Sequence, residues 1–226
     1  APWPEVRVRA KLPSGDVQTI SCDALLVAAG RAPNVEGLGL EAAGVEYTER
    51  AGVQIKDDLT TSNPDIYAAG DVIDRPEFKF THMAGTMGGM AVQNALFRDI
   101  ADLPVNAPSR YLSQLVVPRC TYTEPEVASC GISTERAAAQ KGVDVDVYTA
   151  SLDHNDRAIL EGSGPGGFVR IFCRRGTDVI VGATVVAERA GDMLGELTLA
   201  AQNGVGLAAV ARTVHPYPTL GEGVHP

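Results

Sequence analysis

The twelve residues Thr61–Val72, which read TSNPDIYAAGDV, constrain the fold of this 226-residue chain more than any other stretch. A turn signal at 62–64 leads into a short apolar run at 66–69, a pattern typical of a buried strand. The run stops at Gly70, and the carboxylate of Asp71 follows. In open α/β sheets, ligands bind beyond the carboxyl ends of the strands, where a glycine lets the backbone approach a ligand closely. We therefore predict that Asp71 faces a ligand.

The chemistry of Asp71 narrows the class of ligand. A carboxylate does not neutralise a phosphate, but it accepts hydrogen bonds from the hydroxyl groups of a sugar or polyol. A helical pattern opens at 81–84 and runs to about Arg98, and a helix N-terminus stabilises an anion. The alternative is an ordinary strand–turn–helix unit in which Asp71 is a capping residue.

Composition excludes several classes of function. The formal charge of −9 argues against a nucleic-acid surface, and no apolar run approaches the roughly 18 residues of a membrane span. We expect a soluble, cytoplasmic protein that binds neither nucleic acid nor membrane. The spacing of the cysteines fits no zinc site or disulfide framework, so we predict structural thiols and no metal site. These cysteines are Cys22, Cys120, Cys130 and Cys173.

The upstream part of the chain carries short β signals. Alternation at 5–10 and 17–21 around a turn predicts a hairpin. The apolar run at 23–30 predicts a buried strand that ends in glycine. Residues 38–45 predict a short helix or turn, and residues 53–60 a brief strand. A Pro-rich stretch at 102–110 then marks a boundary.

The downstream part mixes strands and helices in an antiparallel pattern, which predicts an α+β unit. Ser133 is the expected N-cap of one helix. An amphipathic helix is expected at 190–203, with Met193, Leu194, Leu197 and Ala201 on its buried face. A further short helix is expected at 205–211. The predicted strands are 115–118, 143–151, 167–173 and 179–187.

The Thr61–Val72 stretch closely resembles the second FAD-binding motif of the pyridine nucleotide-disulfide oxidoreductases, the family of dihydrolipoamide dehydrogenase, glutathione reductase and mercuric reductase. A second match, of the form Gly-Arg-x-Pro-Asn, begins at Gly30. Residues 118–131 match the opening of the C-terminal dimerisation domain of that family. The resemblance covers nearly the whole chain.

The resemblance implies an α/β plus α+β fold class, with three segments. Residues 1–29 would end an NAD(P)-binding domain, residues 30–107 would form the C-terminal part of an FAD-binding domain, and residues 108–226 would form an α+β dimerisation domain. It also implies FAD as the cofactor, NAD(P)H as the electron donor of the full-length enzyme, and a homodimer.

The resemblance places FAD against two elements. Asp71 matches the residue that holds the ribityl chain, and the helix from His82 onward points its N-terminus at the flavin pyrimidine edge. Gly30 could equally be a plain strand-terminating turn, and His82 could serve packing or capping. The implied cofactor-binding residues are Gly30, Gly70, Asp71, Thr81, His82 and Ala84.

The chain closes with VHPYPTLGE at 214–222, which matches a His-x-His-Pro-Thr motif followed by Glu. In the family the second His is an acid–base residue that the Glu orients, and it reaches into the flavin site of the partner. Here that position is Tyr217, a poor proton shuttle at pH 7 because its pKa is near 10. His215 and Glu222 match the first His and the Glu. The candidate catalytic residues are therefore Tyr217, Glu222 and His215.

Alternatives remain at these positions. His215 could be structural, and Glu222 could be a carboxylate at a helix N-terminus. Mercuric reductases and the reductases similar to them carry a Tyr at the position of Tyr217, which favours that branch over dihydrolipoamide dehydrogenase.

Three elements of the family are missing from the sequence: the redox-active Cys-x4-Cys and the two G-x-G-x-x-G motifs that follow a strand. The glycine-rich stretch at 162–167 has the same spacing, but a strand rather than a helix is expected after it, so we predict a loop and not a phosphate-binding site. We therefore expect the C-terminal part of an FAD-dependent NAD(P)H:disulfide or thiol-bound metal-ion oxidoreductase, mercuric reductase-like and inactive without an N-terminal half. The alternatives are a non-catalytic dimerisation module, the C-terminal part of a dihydrolipoamide dehydrogenase, or another flavin reductase that shares only the FAD motif.

Overall fold

The computed structural model describes residues 5–97 and 111–224. The predicted N-terminal hairpin is present: β1 (Val6–Lys11) pairs antiparallel with β2 (Val17–Cys22), and Val6 lies opposite Cys22. Most side chains of the hairpin are exposed or half-buried. The hairpin is therefore held by its ladder rather than by a hydrophobic core.

The prediction of a buried strand at 23–30 is wrong. The segment has no regular secondary structure, and Leu25, Leu26 and Val27 are 55%, 89% and 76% exposed. A strand needs a neighbour for its backbone N–H and C=O groups. Within the described residues, no strand pairs with this segment. Its apolar residues therefore do not form a buried strand.

The rest of the upstream unit is built from turns around a small sheet. β3 (Tyr47–Thr48) pairs antiparallel with β4 (Gly52–Val53). Residues 38–45 form the predicted turns, with Gly44 in the left-handed region at φ 69°. The predicted strand at 53–60 is shorter than expected, because only Val53 belongs to β4.

The strand predicted at 66–69 is also wrong. Tyr67 makes a single antiparallel bridge with Thr60, and residues 70–72 form one 3₁₀ turn. Two backbone hydrogen bonds tie this run to the preceding segment: Thr61 N–H donates to the carbonyl of Ile66 at 2.9 Å, and Ala68 N–H donates to the carbonyl of Leu59 at 3.2 Å. Helix α1 (Thr81–Leu96) follows as predicted, although Arg98 lies outside the described residues. Buried methionines of α1 form a core with two upstream aliphatic residues. These core residues are Met83, Met87, Met90, Leu59 and Ile73.

The downstream unit confirms the predicted α+β organisation. Five antiparallel strands form one sheet in the order β5-β6-β9-β8-β7. The strands are β5 (Arg119–Thr121), β6 (Glu126–Gly131), β7 (Val145–Ser151), β8 (Phe168–Arg174) and β9 (Ile180–Ala187). The three longest strands match the predicted positions within two residues.

Helix α4 (Ala190–Gln202) packs on this sheet. Its predicted inner face is confirmed, because Met193, Leu194 and Leu197 are buried and Ala201 packs against the same core. The other helices are α2 (Glu135–Gln140), α3 (Asp156–Glu161) and α5 (Leu207–Arg212).

Two local predictions in this unit need correction. The N-cap of α2 is Thr134 rather than Ser133, and its side chain accepts a hydrogen bond from the N–H of Ala137. The apolar run 115–118 is extended but belongs to no strand. The N–H of Val116 donates to the Gln202 side chain at 2.6 Å, and a proline cannot donate to a ladder.

This run joins the two units. Leu115 and Val117 pack on the upstream core, whereas Val116 packs on the downstream core. The Gln202 side chain also donates to the carbonyl of Gln114 at 2.6 Å. Alternate side chains of one extended segment therefore reach both cores. The predicted boundary at 102–110 lies outside the described residues.

Candidate functional site

Asp71 lies in the 3₁₀ turn at 70–72 and its side chain is exposed. One carboxylate oxygen, Oδ2, accepts a hydrogen bond from Nη1 of Arg31 at 3.2 Å. Gly70 has φ +82°, and a Cβ on it would lie 3.4 Å from the Cβ of Ala84. Glycine therefore lets this turn adopt a left-handed conformation against the first turn of α1.

The N-terminus of α1 is open. Its N-cap is Phe80, which offers no side-chain hydrogen bond, and Thr81 and His82 are exposed. The first backbone N–H groups of a helix have no partner within the helix and carry a partial positive charge. This end of α1 can therefore accept an anionic or acceptor group of a ligand.

His82 contacts the downstream unit. Its Nε2 lies 3.0 Å from the carbonyl oxygen of Pro118, and its ring stacks on Phe80 with centroids 5.2 Å apart. Because a carbonyl only accepts, Nε2 carries the proton. This contact fits the packing alternative for His82, and its role toward a cofactor stays a prediction.

The structure thus brings most of the predicted cofactor-binding residues together. Gly70, next to Asp71, lies against Ala84 in the first turn of α1, and Arg31, the neighbour of Gly30, reaches Asp71 through its side chain. Gly30 has φ +125°, which only glycine adopts readily. An exposed carboxylate beside an uncapped helix N-terminus can bind one ligand that has both hydroxyl groups and an anionic edge.

The C-terminal motif forms a second, separate site. The hydroxyl of Tyr217 donates to Oδ2 of Asp156 at 2.8 Å. This hydrogen bond raises the pKa of Tyr217, and the charges of Asp156 and Glu222 add to the effect. The tyrosine therefore stays neutral at physiological pH.

The resemblance implies that Glu222 contacts and orients Tyr217, but the structure shows a different contact for Glu222. Its Oε2 accepts the backbone N–H of Thr219 at 3.1 Å. Glu222 and Tyr217 nonetheless line one open groove of about 240 Å³. The lining residues are Ala150, Ser151, His154, Asn155, Asp156, Tyr217, Glu222 and Gly223.

His215 points elsewhere. Its Nε2 lies 3.0 and 3.2 Å from the two carboxylate oxygens of Glu196 on α4, and its side chain is 11% exposed. It does not line the groove of Tyr217. This geometry fits the structural alternative for His215, and its catalytic role stays a prediction.

Sequence reasoning missed two partners in this region, Asp156 and Glu196. Asp156 lies 61 positions before Tyr217, and Glu196 lies 19 positions before His215. Neither spacing follows a helical or strand period, so no local pattern points to these pairs.

The four cysteines are free thiols. Burial raises the pKa of Cys173 to about 11, and it also raises the pKa of Cys130. Burial and the nearby carboxylate of Glu126 raise the pKa of Cys120. Thiols with raised pKa values are poor nucleophiles, as expected of structural cysteines.

In 5–97 and 111–224 no group of three His, Cys, Asp or Glu side chains is placed to hold a metal, and no helix there is long and apolar enough to span a membrane.

Two family models match this chain. The model described as pyridine nucleotide-disulphide oxidoreductase matches residues 5–94, and the dimerisation domain of the same family matches residues 117–226. The chain belongs to the pyridine nucleotide-disulfide oxidoreductase family. Members of this family are FAD-dependent and take NAD(P)H as electron donor.

Curated relatives in the family carry two different names. Dihydrolipoyl dehydrogenase of Thermus scotoductus is 37% identical over 210 residues, which cover 93% of this chain and 42% of the relative. Mercuric reductase of Streptomyces lividans is 36% identical over 210 residues, 93% of this chain and 41% of the relative. The chain therefore spans about two-fifths of these relatives.

Solved structures confirm the predicted fold class. LpdA from Mycobacterium tuberculosis superposes with a TM-score of 0.80 at 27% identity, covering 96% of this chain and 44% of that chain. A Cu(II) complex of the flavoprotein disulfide reductase RclA from Escherichia coli gives a TM-score of 0.78 at 22% identity, covering 97% of this chain and 46% of that one. The likeness to RclA concerns the fold alone.

Proposed function

We propose that this chain supplies the C-terminal part of an FAD-dependent NAD(P)H:disulfide or thiol-bound metal-ion oxidoreductase, mercuric reductase-like, that works as a cytoplasmic homodimer. One observation carries the cofactor assignment. The exposed carboxylate of Asp71 lies in a glycine turn against the first turn of α1, whose N-cap residue, Phe80, makes no side-chain cap hydrogen bond.

The residues at this site fit FAD. Asp71 would accept hydrogen bonds from ribityl hydroxyls, and the backbone N–H groups at Thr81 and His82 would face the pyrimidine edge of the flavin. Arg31, now paired with Asp71, is exposed and can turn toward an anionic group of the cofactor. Bound FAD would supply electron transfer from NAD(P)H, while this chain would bind and orient it.

The substrate assignment rests on Tyr217. A neutral phenol with a raised pKa cannot shuttle a thiol proton near pH 7, whereas it can form a hydrogen bond or line a metal–thiolate pocket. Relatives named dihydrolipoyl dehydrogenase and mercuric reductase are equally similar to this chain. Tyr217 therefore supports the mercuric reductase-like alternative, and the C-terminal part of a dihydrolipoamide dehydrogenase is the competing assignment.

Binding of FAD to the purified chain tests the proposal directly. Asp71→Ala should weaken FAD binding about tenfold, because it removes one or two hydrogen bonds from a charged acceptor. Asp65→Ala, a matched exposed carboxylate in the same motif, should leave binding unchanged. Fluorescence quenching of added FAD measures both. Equal effects of both variants would contradict the role given to this turn, whereas a chain that takes up no FAD would show that the missing upstream motif is needed for binding.

A non-catalytic dimerisation module is the second candidate function. The downstream unit favours it, because this unit has a core of its own between the five-stranded sheet and α4. Light scattering at micromolar concentration tests dimerisation by itself. A dimer that binds no FAD would support the module, and a monomer would argue against both homodimeric assignments.

A further inference from the structure

We propose that Asp156 is the positioning residue for Tyr217, and that the two side chains meet substrate as one hydrogen-bonded unit. The contact of Tyr217 Oη with Asp156 Oδ2 at 2.8 Å carries this inference. The reaction that the unit serves rests on the function proposed above. The pairing itself does not, so it can be tested on the chain alone.

Hydrogen bonds other than the one between Asp156 and Tyr217 hold the backbone around these two residues. Asn155, the N-cap of α3, accepts the N–H of Ala158 at 2.9 Å through Oδ1. Its Nδ2 donates to the carbonyl of Thr219 at 3.1 Å. Thr219 in turn donates through Oγ1 to the carbonyl of Pro216 at 2.8 Å. One side chain therefore links the start of α3 to the turn that carries Tyr217, and this link holds the carboxylate of Asp156 opposite the phenol.

The direction of the hydrogen bond determines what Tyr217 offers to a substrate. A phenol has one proton, and here that proton is donated to Asp156. The oxygen of Tyr217 is left with acceptor capacity, which a bond to a carboxylate strengthens. Tyr217 is thus an acceptor for a thiol S–H or another donor, rather than an acid that gives up its own proton.

The groove around the pair is acidic. Asp156 on α3 and Glu222 in the 3₁₀ turn at Leu220–Val224 face Tyr217, and His154 lines the same groove. Among the residues that the structure describes, the lining contains no lysine or arginine. This charge distribution raises the energy of a phenolate and repels anions, so we infer that the groove selects neutral or cationic substrates over anionic ones.

Titration of Tyr217 tests the pairing. The chain is labelled with tyrosine carrying ¹³C at Cζ, and Tyr217→Phe identifies its signal among the six tyrosines. The midpoint for Tyr217 should lie above about 10, the ordinary tyrosine pKa. Asp156→Asn should move it down toward that value. It should also shift the Cζ signal at pH 7, because an amide can donate to the phenol oxygen. Circular dichroism at each pH restricts the comparison to folded protein.

A matched control separates the hydrogen bond from general charge. Asp153→Asn removes one charge three positions away, where the carboxylate accepts from Ser151. It should leave the Tyr217 midpoint where it is in the unaltered chain. An unchanged midpoint in Asp156→Asn, or an equal fall in both variants, would overturn the positioning role.

Charge selection is tested with two thiols of similar size. At pH 7, 2-mercaptoethanol is neutral and mercaptoacetate is an anion. The neutral thiol should shift the Cζ signal of Tyr217 at lower concentration than the anion does. Equal shifts would overturn the selectivity but leave the pairing intact. If Asp71→Ala and Asp65→Ala affect FAD binding equally while the titration behaves as expected, the proposed function is contradicted and the Asp156–Tyr217 unit stands.

Discussion

The upstream and downstream units bury their apolar side chains to different degrees. Downstream, one five-stranded sheet and α4 enclose a continuous core, and Leu197 is fully buried. Upstream, two two-stranded sheets and turns leave Leu26 and Val27 largely exposed. The difference teaches that an apolar run is buried only when it has strand neighbours or a core against which its side chains pack, as the run at 115–118 does. The downstream strands all have neighbours, whereas the run at 23–30 has none in 5–97 or 111–224.

The largest expected effect is in the downstream core. Leu197→Ala should lower the free energy of unfolding by about 2–5 kcal/mol, because it leaves a cavity beneath the sheet. Leu26→Ala, the same change at an exposed position, should alter it by less than about 0.5 kcal/mol. Urea denaturation followed by circular dichroism measures both. Similar losses of unfolding free energy in the two variants would contradict the difference in burial between Leu197 downstream and Leu26 upstream.

The upstream unit depends on a close backbone approach. Gly52 has φ +111°, and a Cβ there would collide with the carbonyl of Val72. Gly52→Ala should destabilise this unit by about 2 kcal/mol, the scale of a strained backbone residue. Hydrogen exchange should show faster exchange around Val53 and unchanged protection in β8 and β9. Uniform loss of protection in both units would show that they unfold together.

The junction between the units should be more weakly coupled. Gln202→Ala removes two hydrogen bonds of 2.6 Å, to Gln114 and Val116, at a cost of about 1–2 kcal/mol. The melting of the two units should then separate in a calorimetric scan. Asn203→Ala serves as the control, because Asn203 is in the next position and its Nδ2 donates to the carbonyl of Leu199 in α4 at 2.8 Å. One sharp transition in both variants would indicate that the cores, not this side chain, couple the units.

The smallest effect is expected from surface charge and pH. Hydrogen bonds from Arg189 and Arg157 lower the pKa of Glu161 in the folded chain. A lowered pKa stabilises the fold above the unfolded pKa of about 4.3, and this contribution is lost as pH falls below it. In Glu161→Gln, the free energy of unfolding should therefore fall slightly less steeply at acid pH than in the unaltered chain. Glu49→Gln should not change this slope. The same fall of unfolding free energy with pH in the unaltered chain and in Glu161→Gln would contradict the contribution of the hydrogen bonds from Arg157 and Arg189 to Glu161.

Much of the architecture could be predicted because it depends on local pattern. The hairpin, the three long strands of the downstream sheet, α1 and α4 follow from alternation, helical period and turn residues. The turn at Gly70 and Asp71 before α1 could also be predicted, since its residues are neighbours in the chain, whereas its binding of FAD stays a prediction.

Tertiary structure alone decided which distant side chains meet. Asp156 rather than Glu222 holds the phenol of Tyr217, and Glu196 holds His215. It also decided that the apolar run at 23–30 is exposed. The physical reason is common to these cases: hydrogen-bond partners and strand neighbours far apart in sequence leave no periodic signal. Local sequence therefore determined the elements and the motif, while the packing of segments determined the partners and the burial.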